Sequence, residues 1–437
     1  MITTNKSWLG VTLAPQIARR HFATYLFAVF ISSGYAGALA VLQPGLLHVM
    51  GIAQDTQALL TGYLSALQEL VFILLLGTAG ALSDRIGRRP VYVFGLALTG
   101  AAFALYPHAQ SITQLVLFRL LVAVGSAAMI GMMVTVVADY AEESSRGRAN
   151  GMQAMAATLG AFIPPLLATL PRVFTANGYD ELAAQQWTFA IGGALGLGAA
   201  VVALYGLAPG AMRKARETRE SIRQILTEGL RTARDPQTAL SYGAAFISRG
   251  DLAVTGAFIS LWLVQYGTRE LGMTASEAMF QLAVPRTLAV VGGALIGALL
   301  MGQIADRVSR VTAVAIASGL AAVVYGAVFA ISDPTAGWVI GLLFVMGIAE
   351  ISAFVSSQAL VGQQAPEQCR GATIGLFGVA GAFGILVGTS GGGILFAKIA
   401  PSAPFVLFGI LNLAVFLWSL WLRKRLGEGR DSVGVPA

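Results

Sequence analysis

Six ionisable side chains lie inside apolar stretches long enough to cross a bilayer: Glu69, Arg119, Arg249, Asp251, Arg286 and Glu350. Charge at that depth costs free energy and usually marks function. Three are acids and three are bases, so static pairing that leaves the interior neutral is one reading. The other is chemical. A carboxyl whose surroundings alternate between apolar wall and a nearby guanidinium takes up and releases a proton; Asp251, Glu350 and Glu69 are candidates. Arginine offers a planar fork of donors that suits a carboxylate or phosphate, so Arg249 and Arg286 are candidates for holding an anionic solute, with packing or ion pairing as the alternative. At a rise of about 1.5 Å per residue, Glu69, Arg249, Asp251 and Glu350 fall near the middle of their stretches, and Arg119 and Arg286 fall nearer one end. Arg249 and Asp251 point about 200° apart on a helix. Each therefore faces a different partner, or one of them faces the cavity, and Gly250 between them permits local unwinding.

Polar and aromatic residues in the same stretches are candidates for lining a solute cavity: Tyr35, Gln43, Tyr63, Gln68, Trp262, Gln265 and Gln358. The aromatics among them equally suit lipid anchoring or packing. His48 and His108 fall near stretch ends, where pH sensing competes with a plain loop role. No His falls at mid-depth, and neither H-E-x-x-H nor G-x-x-x-x-G-K-[ST] occurs. Cys369 is the single cysteine, so no intramolecular disulfide can form. A membrane enzyme, ATP-driven transport, and any metal or cofactor are set aside on these grounds.

The elements that must position these residues follow from composition. Of 437 residues, 56% are hydrophobic and 11% charged, against about 25% charged in soluble domains. A span needs about 20 apolar residues. Twelve such runs occur, near 22–46, 58–82, 91–107, 112–138, 150–171 and 187–208, then near 238–266, 276–302, 311–332, 337–361, 372–397 and 403–422. Pro164-Pro165 should bend the fifth. The first run, behind Arg19-Arg20, is too long for a cleaved signal and reads as a retained helix. The segments on one side hold 22 of the 28 Lys and Arg residues; the loops opposite hold only Arg172, Arg269 and Lys398. By the positive-inside rule both termini are cytoplasmic, and the net charge of +7 reports topology, not nucleic-acid binding. The organisation read from this is a cytoplasmic N-terminus (1–21), a six-helix bundle (22–208), a linker (209–237), a second six-helix bundle (238–422) and a cytoplasmic tail (423–437). Within the linker, Ile222, Ile225, Leu226 and Leu230 recur at helical spacing among charges, as in an amphipathic helix on the membrane face; a solvated linker is the alternative.

The two halves repeat one another. Gly80-Ala-Leu-Ser-Asp84-Arg85-Ile-Gly87-Arg88-Arg89 follows the second run, and Gly302-Gln-Ile-Ala-Asp306-Arg307-Val-Ser309-Arg310 follows the eighth, with the aspartates 222 residues apart. Glu143-Ser-Ser-Arg146-Gly147 and Glu367-Gln-Cys-Arg370-Gly371 recur with the arginines 224 apart. On these motifs the whole chain resembles the major facilitator superfamily, whose signature G-x-x-x-D-R-x-G-R-[RK] is met at Gly80–Arg89. The resemblance implies an all-α membrane protein of twelve transmembrane helices in two pseudo-symmetric six-helix bundles. It also implies a gating latch at Gly80, Asp84, Arg85, Gly87, Arg88 and Asp139, with a second copy at Asp306 and Arg307. The alternative for the loop arginines is topology alone. Arg119 begins Arg119-Leu-Leu-Val122-Ala123-Val-Gly125, similar to the family's R-x-x-Q-G-x-G with Val122 and Ala123 departing, which implies a proton-relay or structural role. Gly160-Ala-Phe-Ile-Pro164-Pro165-Leu-Leu-Ala168-Thr169 keeps only Gly160 and Pro165 of the family's drug-antiporter motif.

The function expected is secondary active transport of a small organic solute by alternating access at a mid-depth site. Proton-coupled export of an amphipathic or anionic metabolite or drug is the first reading, and proton-coupled uptake of an organic anion the second. A non-transporting receptor of transporter fold is a third, separated from both by ion-gradient-driven flux. The partners are the solute, protons and membrane lipid, without nucleic acid; a monomer in a bacterial plasma membrane is expected.

Overall fold

The computed structural model describes residues 7–209, 222–366 and 369–426. Lys6, Arg213, Lys214, Arg216, Arg219, Glu367 and Arg430 lie outside the described residues, with the first part of the linker and most of the tail. Twelve helical spans are long and apolar enough to cross a membrane, as the hydropathy runs predict. A short hairpin, β1 (Ser7–Trp8) and β2 (Val11–Thr12), precedes them. The first half then runs α1 (Arg19–Val49), α2 (Gln54–Ile86), α3 (Arg88–Leu105), α4 (Ile112–Tyr140), a broken fifth span of α5 (Arg146–Gly160), α6 (Ile163–Leu167) and α7 (Leu170–Ala176), and α8 (Glu181–Gly206). The linker contributes α9 (Ile222–Thr232). The second half runs α10 (Pro236–Glu270), α11 (Ala275–Ala278), α12 (Val284–Arg307), α13 (Arg310–Ala327), α14 (Gly337–Gln364), α15 (Arg370–Lys398) and α16 (Ala403–Arg425).

The breaks have local causes. Pro164 and Pro165 head α6 and Pro171 heads α7; each lacks the donor that would continue the helix before it. In the eighth span Thr274 caps α11 with a reciprocal box, its Oγ1 accepting from Glu277 N at 3.3 Å and Glu277 Oε2 accepting from Thr274 N at 3.2 Å. A single π turn, Met279–Ala283, joins α11 to α12 just before Pro285. Gly87 turns the chain between α2 and α3 with φ 99°, a backbone that L side chains rarely adopt. The corresponding position of the second copy, Ser309, has φ −60° and instead caps α13, its Oγ accepting from Thr312 N at 3.2 Å.

The chain divides into two compact units. One holds the described residues within Met1–Gly51, Leu67–Glu217 and Thr274–Phe280; the other holds those within Ile52–Ala66, Thr218–Met273 and Gln281–Ala437. In the first, α3 packs against α4 and α8, and α1 against α5 and α8. Helix approach there depends on missing side chains: a methyl group on Gly100 would stand 2.8 Å from the Gly193 carbonyl oxygen. This unit also contains α11, where Glu181 Oε2 accepts from Ser276 N at 3.2 Å and Ser276 Oγ at 2.6 Å, and Arg172 meets Glu277 at 3.6 Å.

In the second unit α10 packs on α15, α12 on α14 and α13 on α16. A methyl group on Gly384 of α15 would lie 1.8 Å from the Phe246 carbonyl oxygen of α10. The start of α2 belongs here, where Gln265 Nε2 donates to Gln54 O at 2.9 Å and Gln57 Oε1 at 3.2 Å. So does α9, which docks on α10 and α15: Tyr242 OH lies 2.7 Å from Thr232 Oγ1 and donates to Gly229 O at 3.2 Å. Leu230 nonetheless remains 61% exposed, and the side chains of Ile222, Ile225 and Leu226 lie outside the described residues.

Candidate functional site

Within the second unit, four helices bring polar groups together in an apolar interior. Asp251 and Thr255 stand one turn apart on one face of α10, Tyr325 comes from α13, Glu350 from α14 and Asn412 from α16. All five are buried, Asp251 at 0% and Glu350 at 4% exposure. Asn412 Nδ2 donates to Asp251 Oδ2 at 3.2 Å and to Phe408 O at 2.9 Å, while Leu252 N donates to Asp251 Oδ1 at 2.7 Å. Tyr325 OH donates to Glu350 Oε2 at 3.2 Å and lies 2.7 Å from Thr255 Oγ1. Among the described residues neither carboxyl has a Lys or Arg partner. The cluster holds two acids whose contacts are neutral donors, an arrangement able to carry protons.

Arg249 does not pair with Asp251. Its guanidinium lies 5.7 Å from the Phe354 ring centroid, its Nε has no hydrogen-bond partner, and its stem crosses Gly381, where a methyl group would meet Cδ at 2.2 Å. Its partial exposure leaves it able to meet an anion. Arg286 is different. Its Nε, Nη1 and Nη2 donate to Pro334 O at 2.8 Å, Leu282 O at 3.1 Å and Thr335 O at 2.9 Å. Those three carbonyls take three of the guanidinium's five N–H donors and fasten the loop before α14 to α12.

The first unit holds a second polar group. Arg119 Nη1 donates to Gln43 Oε1 at 3.2 Å, and Tyr106 OH donates to the same oxygen at 2.8 Å. All three are buried, and Arg119 Nε has no hydrogen-bond partner. Gln43 therefore serves Arg119 and Tyr106, a network no sequence spacing announces. Tyr35 donates from its hydroxyl to Gly192 O and packs its ring edge-on against Phe103 at 5.4 Å, a packing role. Gln68 and Glu69 are partly buried on α2, Tyr63 and Gln358 are exposed, and Trp262 is buried against Phe405 at 6.2 Å.

At the Arg-rich end of the first unit, Arg88 joins Asp84 at 2.5 Å and Asp139 at 2.8 Å. Its Nη1 also donates to Ser83 Oγ at 2.5 Å. Asp139 has 3% side-chain exposure, so one guanidinium ties the ends of α2, α3 and α4. Arg85 is exposed, and Gly80 is partly buried on α2. In the second copy Asp306 meets Arg310 at 3.5 Å and Arg307 is exposed. Sequence reasoning missed Thr255, Tyr325, Asn412 and Tyr106. Thr255 was open to the four-residue spacing from Asp251; Asn412 was open as the one amide in an apolar span.

Twelve apolar helices make this an integral membrane protein. A family model, Major Facilitator Superfamily, matches residues 24–389 and 242–435, and the chain belongs to that superfamily of transporters, not to an enzyme family. It is 29% identical over 407 residues to magnetosome protein MamZ of Paramagnetospirillum magneticum, covering 89% of this chain and 60% of that protein. The chain thus spans 60% of the length of this relative. Over 127 residues it is 32% identical to multidrug transporter protein MdtP of Bacillus subtilis, covering 29% of this chain and 23% of that one. Its fold is similar, at TM-score 0.70 and 17% identity over 96% of this chain and all of the other, to a solved bacterial homologue of the human lysosomal transporter Spinster.

Proposed function

We propose that this protein exports a small anionic or amphipathic solute in exchange for protons, by alternating access, with Asp251 and Glu350 as the proton carriers. One observation carries the reading: two carboxyl groups lie buried in a membrane-spanning unit with only neutral hydrogen-bond partners. An ionised carboxylate so placed lacks the paired cation that buried charges require, so each cycle of hydration and burial moves a proton. Arg249, with no carboxylate partner among the described residues, supplies positive charge for the solute, and Arg119, hydrogen-bonded to Gln43, is a proton relay within the first unit. The Arg88 group with Asp84 and Asp139 is the latch at the cytoplasmic end. The termini are cytoplasmic, and the chain works as a monomer in a bacterial inner membrane. The multidrug relative supports the outward direction.

The test is a screen in proteoliposomes with pH gradients of either sign. Solute moving against an opposing proton flow, with protons appearing on the other side in step, supports antiport. Solute and protons moving together would establish the uptake reading instead. No gradient-driven flux of any solute favours a receptor.

The magnetosome relative aligns with 89% of the chain, against 29% for the multidrug one. That difference favours a second reading for location, a magnetosome membrane. A fluorescent fusion expressed in Paramagnetospirillum magneticum decides it: an even distribution around the cell envelope excludes that placement.

A further inference from the structure

The chain before α1 forms a strap that engages three helices of the first unit, α1, α4 and α5. β1 and β2 pair through Ser7–Thr12 and Trp8–Val11, turning at Leu9 with φ 50° and Gly10 with φ 77°. Val11 of the hairpin, and Leu13 and Ile17 beyond it, are buried at 0%, 2% and 0% exposure. Buried apolar side chains of this kind tie a segment down.

The ties converge on the end of α4. The last carbonyls of a helix lack partners within it; here Ala14 N donates to Tyr140 O at 3.0 Å, and Glu142 N donates back to Thr12 O at 3.0 Å, around a Leu13–Ala141 bridge. Thr12 N donates to Ser145 Oγ at 3.1 Å, just before α5, and Arg148 of α5 donates from Nη1 to Gly10 O at 3.0 Å. Trp8 meets Phe22 of α1 edge-on at 6.0 Å, and that ring leads through Tyr25 to Tyr140, each step 5.9 Å. Tyr140 OH in turn accepts from Ala208 N at 2.9 Å, just after α8.

Asp139 immediately precedes Tyr140, and its carboxylate is the one Arg88 grips from α3. The direction in which α4 ends decides whether that carboxylate reaches Arg88. We infer that the hairpin and its following segment, Ser7–Ile17, are a positioning element for the Asp139–Arg88–Asp84 group, holding the ends of α1, α4 and α5 as one piece so that this group forms. The inference rests on the reading of that group as a latch, and its test separates the two.

The full chain is used in a Cys369→Ser background carrying Ser83→Cys, a buried position beside Arg88. The readout is the rate at which a membrane-impermeant maleimide labels residue 83 in inside-out vesicles, with solute transport measured in parallel. Leu13→Asp places a charge where 2% of the side chain is exposed and should undock the strap. Labelling is expected to rise about tenfold or more, as for a local opening equilibrium shifted by an unpaired buried charge, with transport falling in parallel. Leu13→Ile should restore the parent rate. Arg148→Ala, which removes one exposed contact, should give a rise of about two- to threefold, as for loss of a single hydrogen bond, and it decides the matter if Leu13→Asp fails to fold. Asp139→Asn, which breaks the group directly, sets the ceiling. Labelling unchanged in Leu13→Asp or Arg148→Ala while Asp139→Asn raises it overturns the positioning role. Labelling raised in the strap variants with transport intact leaves the positioning role standing and removes the latch reading.

Discussion

At the scale of single residues, charge within the membrane sorts by what each group touches. Asp251 and Glu350 meet only neutral donors, Arg88 meets two carboxylates, and Arg286 meets three backbone carbonyls. Arg286→Ala should therefore lower stability by about 1–3 kcal/mol through stranded carbonyls and lost packing, read as a lower Tm in detergent, while the KM for the solute stays near the parent value. A selective rise in KM at unchanged Tm would place Arg286 at the solute site. Asp333, in the loop that Arg286 fastens, accepts from Thr335 Oγ1 at 2.6 Å and Thr335 N at 2.7 Å. These bonds hold its carboxyl below the usual range. The lowered value means its contribution is fully present above the unfolded pKa and lost only as pH falls through the folded one, in acid. A transport optimum near neutral pH thus does not come from Asp333. From sequence, the opposed directions of Arg249 and Asp251 were legible, because helical geometry fixes them. The company Asp251 keeps was not, because Asn412 stands 161 residues away and only packing joins them.

At the scale of elements, the twelve spans were legible because apolar length is a local property, and a bend at Pro164-Pro165 in the fifth was legible because proline acts where it stands, while the second break at Pro171 was not foreseen. The strap before α1 was illegible: strands of two residues have no periodicity to detect, and the segment's hydrogen-bond partners from the end of α4 to α5 lie more than 120 positions away. The linker helix was visible as a periodic run, but its docking on α10 and α15 was not, since that depends on Gly229 giving room beside Leu376. The turn between α2 and α3 gives a sharp prediction. With φ 99° and ψ 158° at Gly87, Gly87→Ala should cost about 1–3 kcal/mol of backbone strain, whereas Ser309→Gly at the corresponding turn, already at φ −60°, should cost only a few tenths of a kcal/mol for losing its cap to glycine. Thermal unfolding of the two variants checks the contrast, and equal losses would show that the two turns are held in the same way.

At the scale of the whole molecule, the repeat at offsets of 222 and 224 residues made the two-half architecture legible, because short motifs between spans keep their spacing when a six-helix unit is duplicated. The compact units do not divide at the linker alone. Ile52–Ala66 of α2 joins the second unit and Thr274–Phe280 joins the first, an exchange that hydropathy has no means of recording. Transport is read from family membership, and the proposed proton coupling rests on the Asp251–Glu350 cluster. The two are separable in one protein. A variant carrying Asp251→Asn and Glu350→Gln keeps the shape of both side chains and removes their protons. In proteoliposomes it should still exchange labelled for unlabelled solute across the bilayer, yet show no accumulation when a pH gradient is imposed. Accumulation at the parent level in that double variant would contradict the assignment of proton coupling to these two carboxyls.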